Sequence, residues 1–238
     1  VDISGTVSGD VVLTVPEGKK ANVSIGNLTI DAGKSLTIVG DAAVANVEGT
    51  TLTVKGTLDL SNEKVVSSVS AVAEGTGVTI KGKVDLTVKA GATVAGDITG
   101  SVVVLNNTNN TSTSISAKMN LESLTVSGKL TISNDITVKN LVVEKGASIS
   151  GDTKIAVSGQ AEIYGTVAGT VSVGANAYVT VDAGLEAVPT GSTANTVTAI
   201  DNKGTVVVKG GAVIGTLTNE KTVRVYVAKI ADGTNASA

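Results

Sequence analysis

The 238-residue chain has no cysteine, histidine, tryptophan or phenylalanine. It has one methionine, one arginine (Arg224) and three tyrosines (Tyr164, Tyr178, Tyr226). Each shortage removes a class of chemistry. Without cysteine there is no disulfide, and the redox compartment cannot be read from thiols. Without cysteine and histidine, zinc, blue-copper, haem and iron–sulfur centres lose their usual ligands. Ser-His-Asp and Cys-His catalysis cannot be assembled in their usual form. So few aromatics are not expected to build stacking platforms for sugars or bases. A net charge of −3 with no basic cluster argues against nucleic acid. No apolar run approaches the roughly 18 residues of a membrane span. No signal peptide is visible, and the absence of an initial Met suggests a removed leader or a fragment. No cofactor and no metal site is expected, and an enzymatic role is not expected either.

What remains is strand-forming sequence. Val (40 residues), Thr (32) and Gly (28) dominate, and β-branched residues favour strands. At 42% hydrophobic and 16% charged, the composition is not that of a disordered chain. Apolar residues alternate with polar ones, as in Leu52-Thr-Val54, Leu58-Asp-Leu60 and Val84-Asp-Leu86-Thr-Val88, so one side of each strand faces a core.

A repeat is present. LTVKG at 52–56, VTIKG at 78–82 and LTVSG at 124–128 share one pattern, followed by TLDL, KVDL and KLTI. Looser copies place the glycine at Gly9, Gly33, Gly151, Gly174 and Gly204, with spacings of 24, 23, 26, 46, 23, 23 and 30 residues. The 46 is twice 23, so one marker is missing near Leu105. The 30 holds a turn-rich insertion at 185–195 with Pro189 and Gly191.

Short strands at a period near 23 predict an all-β fold. It is a β-solenoid, a parallel β-helix, with coils of about 23 residues and no substantial helix, spanning 1–238 as one domain. About nine coils at roughly 4.8 Å each give a rod roughly 45 Å long. The expected core includes Leu52, Val54, Leu58, Leu60, Val78, Ile80, Val84, Leu86, Leu124, Val126, Leu130 and Ile132, with Val54, Ile80 and Val126 on one face. Thr29, Thr53, Thr79 and Thr125 are expected in one outward file. A thin bore has no room for large rings, which accounts for the missing Phe and Trp.

Two segments depart from the pattern. Residues 106–116 (NNTNNTSTSIS) read as an exposed polar loop. In 61–73, Val65, Val66, Val69 and Val72 have helical spacing, but the valine content favours strand and loop.

The marker strings resemble the L-T-V-x-G-x-L-x-V runs of prokaryotic extracellular β-solenoid proteins: surface-layer-associated proteins, filamentous adhesins and extracellular filament subunits. The similarity covers roughly residues 9–208 and implies a secreted or cell-surface structural role. Bactofilins, cytoplasmic solenoids that polymerise end to end, are similar too, though with shorter coils.

Several candidate sites are weighed on this frame. Sequons stand at Asn22, Asn27, Asn106, Asn109, Asn110 and Asn235, three of them in the polar loop, which predicts glycan there if the chain is exported. Asp59 and Asp85 are expected to stack on adjacent coils. A solvated face balanced by Lys55, Lys81 and Lys83 explains them better than glycoside chemistry. Single Thr rows fall short of the paired rows that an ice-binding face needs. Gly-Asp pairs at Gly9, Gly40, Gly96 and Gly151 read as turns, because no calcium nonapeptide occurs. The terminal strand 222–230, with Val223, Arg224, Val225, Tyr226 and Val227, alternates most regularly and is the preferred candidate assembly strand; the strand-like segment 1–15 at the other terminus is the alternative donor.

The expected function is an extracellular subunit that polymerises with itself, head to tail, through terminal strand pairing. The alternatives are a monomeric rod serving as an adhesin or surface-layer binding module and, more distantly, a bactofilin-like polymer or a polysaccharide-active enzyme. Glycans are the other candidate partners. No membrane span and no nucleic acid is expected.

Overall fold

The computed structural model describes residues 1–106, 111–188 and 194–234. The described residues form strands and no helix, and every strand pairing is parallel. The chain winds about 12 turns of a β-solenoid with three faces. One file fixes the turn count. On the first face Val7, Ile30, Val54, Ala73, Val88, Val104, Val126, Val143, Ile163, Val181, Val208 and Val225 stand in register, each paired with the next. From Ile30 to Val208 every member of this file is fully buried. At about 4.8 Å per coil the rod is roughly 55 Å long.

The second face carries the files Leu36–Leu58–Ile80, Val78–Val94–Ile115–Ile132 and Leu130–Ile149–Val167–Val197–Ile214–Ile230. The third carries Ile98–Met119–Ile136–Ile155–Val171–Ile200–Leu217. These files point inward and merge into one core. All twelve residues expected in the core are buried. Residues 65–73 are a strand, Val65–Ala73.

The coil length departs from 23. Successive members of the first-face file are 23, 24, 19, 15, 16, 22, 17, 20, 18, 27 and 17 residues apart, by subtraction of the paired numbers. The marker glycines mislead because they lie at different corners. Gly9, Gly33, Gly56 and Gly128 follow first-face residues, Gly82 and Gly151 follow second-face residues, and Gly174 and Gly204 follow third-face residues. Any corner of the prism ends an alternating strand with a sharp turn, so the same short string suits all three. The expectation that Val54, Ile80 and Val126 share a face is corrected accordingly. Val54 and Val126 share the first-face file, whereas Ile80 pairs with Leu58 on the second. Likewise Thr29, Thr53 and Thr125 lie in the first-face strands, but Thr79 pairs with Thr57 on the second.

The shortest coils arise on the third face. Between the Asp59–Lys81 and Val69–Val84 pairs, one coil uses residues 60–68 and the next only 82 and 83. The next coil turns this corner with Gly96, whose φ is 120°.

The expected loop at 106–116 is also corrected. Thr113–Ile115 is a second-face strand, and Thr113 and Ile115 are buried. Thr113 takes a core slot because its hydroxyl has partners: it accepts from the Gly91 N–H at 3.2 Å and donates to the Lys89 carbonyl at 3.4 Å. Residues 107–110 lie outside the described residues, and so do 189–193 of the 185–195 insertion.

Candidate functional site: the two ends of the rod

A solenoid satisfies its backbone groups by pairing each coil with the coils on either side. The terminal coils have one neighbour each among the described residues. At one end Asp2–Val7 pairs with Ala21–Ile30, and Asp10–Thr14 pairs with Ser35–Val39. At the other end Thr222–Tyr226 pairs with Thr205–Lys209, and Lys229–Thr234 pairs with Val213–Asn219. Among the described residues no strand pairs with the outer edge of either terminal coil.

The core is uncovered at the same places. Val225 occupies the first-face file yet is 42% exposed, and Val11, in line with Leu36 and Leu58, is 43% exposed. Ile3, Leu13, Ala228 and Ile230 are only partly buried against the core, as are Ala21, Val65 and Ala183 in other coils.

The candidate assembly strand is in two pieces. Val223 is buried, and Arg224, Val225, Tyr226 and Val227 are exposed. Val227 has φ 48° and breaks the continuous 222–230 strand read from the alternation. A β-branched residue is strained in that conformation. The break has a geometric cause, since the chain here turns from the first face to the second. The Val227 carbonyl accepts from the Gly211 N–H at 2.7 Å, which fixes the turn to the coil below.

The other candidates are dispersed. Asp59 lies in line with Lys81 on the second face, while Asp85 pairs with Ser70 on the first, so the expected Asp59–Asp85 stack is corrected. Asp59 is a structural carboxylate. It accepts from the Ser61 hydroxyl at 2.6 Å and the Ser61 N–H at 3.1 Å, and lies 3.3 Å from Lys81 Nζ. Burial pushes its carboxyl up, but the two Ser61 bonds and the Lys81 ammonium together hold it below the ordinary carboxylate value. A depressed folded pKa contributes stability above the unfolded value of about 4, and this is lost as pH falls through the folded pKa. Asp59→Asn should therefore flatten the acid side of the melting-temperature profile below about pH 4, with an effect under about 1 kcal/mol. Melting curves of both proteins between about pH 2 and 7 check this.

Asn22 and Asn27 are exposed on the Ala21–Ile30 strand, and the Asn27 side chain accepts from the Thr51 N–H at 3.0 Å. Asn106 is exposed; Asn109, Asn110 and Asn235 lie outside the described residues. A cleft of about 710 Å³ at the corner loops of the first coils is lined by Glu17, Lys19, Lys20, Asp41, Glu63 and Lys64. It carries three acidic and three basic side chains, with Lys20 and Asp41 3.4 Å apart. Among the described residues no three metal-ligating side chains converge, and no helix is long and apolar enough to cross a membrane.

Two features had no sequence reading. Asn202 and Asn219 occupy inward slots of the third face, in line with Val157 and Val173. Tyr178, Arg224 and Tyr226 lie in the last three first-face strands and Tyr164 directly follows the strand before them; Tyr226 pairs with Lys209, Lys209 with Asp182, and Tyr178 with Gln160. Tyr164 donates to Glu162 at 3.2 Å. The concentration of rare residues in one stretch was the available signal.

No family model, curated protein or solved structure matches the chain.

Proposed function

We propose that the protein is an extracellular structural subunit that polymerises with itself, head to tail, through its terminal strands. One observation carries this reading: the apolar file that runs from Val7 to Val225 through the described residues is uncovered at Val225, 42% exposed, while at the opposite end Val7 is buried and Val11 on the second face is 43% exposed. A free coil edge is a template for another strand, and a contact between two different ends repeats without closing. The repeat style supports export. Exposed Asn22, Asn27 and Asn106 offer acceptors for glycan. The role is read as non-enzymatic, since Asp59 and Asp85 stand on different faces and Asp59 is committed to Ser61 and Lys81.

A second reading, a monomeric rod that displays a binding face, is favoured by the gathering of Tyr164, Tyr178, Tyr226 and Arg224 on one sheet. Tyr and Arg are enriched at the energetic centres of interfaces.

Electron microscopy and light scattering of the purified protein at neutral pH separate the two. Polymerisation gives unbranched fibres with an axial repeat of roughly 55–60 Å, the height of about 12 coils. A stable 23.4 kDa monomer at high concentration overturns it in favour of the binding rod.

A further inference from the structure

We propose that a second copy of this chain docks side by side and antiparallel along the edge between the second and third faces, where six charges alternate in sign from coil to coil. This goes beyond the head-to-tail reading and uses neither end of the chain.

Asp59, Lys81, Asp97, Lys118, Asp135 and Lys154 form one outward file. Asp59 pairs with Lys81, Lys81 with Asp97 and Asp97 with Lys118. Lys118, Asp135 and Lys154 continue the file, since they directly precede Met119, Ile136 and Ile155, which stand in register. The Lys154 N–H donates to Asp135 Oδ1 at 2.7 Å. The members are 22, 16, 21, 17 and 19 residues apart, by subtraction. Only the stacking of unequal coils brings them into line. Asp59 is partly buried, and the other five are exposed.

Opposite charges on adjacent strands also suit a single rod. Among the described residues that use is made once. Lys81 and Asp59 form an ion pair at 3.3 Å, and the side chains of Asp97, Lys118, Asp135 and Lys154 form none. Those four charges are free to meet a partner.

The file is complementary to itself in reverse. A two-fold axis along the strand direction, between the coils of Asp97 and Lys118, turns the face over and reverses the coil order. Asp97 then meets the partner's Lys118, Lys81 the partner's Asp135 and Asp59 the partner's Lys154, and each contact occurs twice. Every contact joins opposite charges and sets a long side chain against a short one. Asp59 is already held by Ser61 and Lys81, so Lys81, Asp97, Lys118 and Asp135 carry the contact. The flanking steps are neutral, with Thr37 facing the partner's Thr170. A rod laid alongside in the same sense and at the same level would oppose like charges instead.

The neighbouring outward file, Lys83–Thr99–Asn120–Thr137–Ala156, brings no clash. Reversal sets Thr99 against the partner's Asn120 and Lys83 against the partner's Thr137. Most of these side chains are short, which suits sheets packed about 10 Å apart. The six charges span about 24 Å of the rod. Exposed ion pairs over so short a length make the association weak and salt-sensitive. The contact is isologous, so it closes as a pair.

The chain contains no cysteine, so introduced thiols have no competitors. Lys81→Cys and Asp135→Cys proteins are prepared separately, mixed at low salt and treated with a bismaleimide that bridges sheets about 10 Å apart. The mixture should give a band at twice 23.4 kDa on a denaturing gel. Each protein alone should give little, because its two thiols lie three coils apart, about 14 Å along the axis. About 1 M salt should abolish the band. Asp97→Lys in both proteins sets lysine against the partner's Lys118 at two contacts, and the yield should fall roughly tenfold. Asp97→Lys in one protein and Lys118→Asp in the other restore opposite charges at both contacts, so the band should return. The readout is the same whether or not rods also join end to end.

No band from the mixture overturns the contact and leaves end-to-end assembly standing. Equal bands from the separate proteins overturn the antiparallel register. A band that survives Asp97→Lys in both proteins, or that fails to return with the Lys118→Asp partner, overturns the pairing and leaves the alternation to the rod's own ladder.

Discussion

Replacing Gly96 by alanine lowers the melting temperature by about 10 °C, the largest effect expected of any single methyl group in the rod. Two separate costs add. Gly96 has φ 120°, a conformation that L residues rarely adopt. A Cβ there would also collide with the Ile80 carbonyl oxygen of the coil below and approach the Ile80 carbonyl carbon to 2.8 Å. The obstacle is backbone held in the Val78–Val94 and Ile80–Gly96 ladder, so it cannot rotate away as a side chain would. The two neighbouring coil steps are the shortest, at 15 and 16 residues, and leave no slack to absorb a shift. Together the terms come to about 3 kcal/mol or more, and about 2–4 °C is lost per kcal/mol at this chain length. Gly33→Ala is the control. Its φ is 68°, but nothing lies within 4 Å of the added carbon, so only the left-handed term of about 1–2 kcal/mol applies. Calorimetry of the two variants separates collision from conformation; equal losses would show that the close approach at Gly96 is unimportant.

The same crowding explains what the sequence could and could not disclose. Alternation is a local property, and it identified the inward residues correctly from Leu52 through Ile132. Coil length is not local. It depends on how many residues each coil spends between its second-face and first-face strands, which varies from the two residues 82 and 83 to the nine of 60–68, where 65–68 form a third-face strand. A short string such as LTVKG or VTIKG fits any strand that ends at a corner, so its spacing measures a mixture of whole turns and thirds of turns. The polar neighbours of Thr113 read as a loop. Only the stacked Lys89 and Gly91 backbone groups show why a hydroxyl is satisfied inside. The candidate joint was half legible. The alternation of 222–230 is real, but the turn at Val227 and the exposure of Val225 depend on where the coil lies in the stack.

Asn202 illustrates a polar residue that the alternation places inward yet a hydrophobic count overlooks. It is fully buried in a file whose preceding members are Val138, Val157 and Val173. Its Nδ2 donates to Asn219 Oδ1 at 2.7 Å and to the Thr222 carbonyl at 3.0 Å, and its Oδ1 accepts from the Gly204 N–H at 2.9 Å. Asn219 repeats the motif one coil on. It donates to the Lys221 carbonyl at 3.0 Å and accepts from the Lys221 N–H at 3.3 Å. The two amides thus satisfy the corners that lead into Thr205–Lys209 and Thr222–Tyr226, the last two strands of the first face. Asn202→Ala leaves the Gly204 N–H without its acceptor and the Thr222 carbonyl without this donor, and opens a cavity, so it should cost about 3 kcal/mol. Asn219→Ala should cost less, because Asn219 is slightly exposed and its partners are near solvent. Since the two amides share a bond, the double variant should fall short of the sum by about 1 kcal/mol. Amide hydrogen exchange should locate the loosening in the last two coils and leave the middle of the rod protected. Under the proposed assembly through the terminal strands, Asn202→Ala should also slow fibre growth. A variant that melts normally, or that loosens the rod uniformly, would show that the paired asparagines do not hold the terminal coil in place.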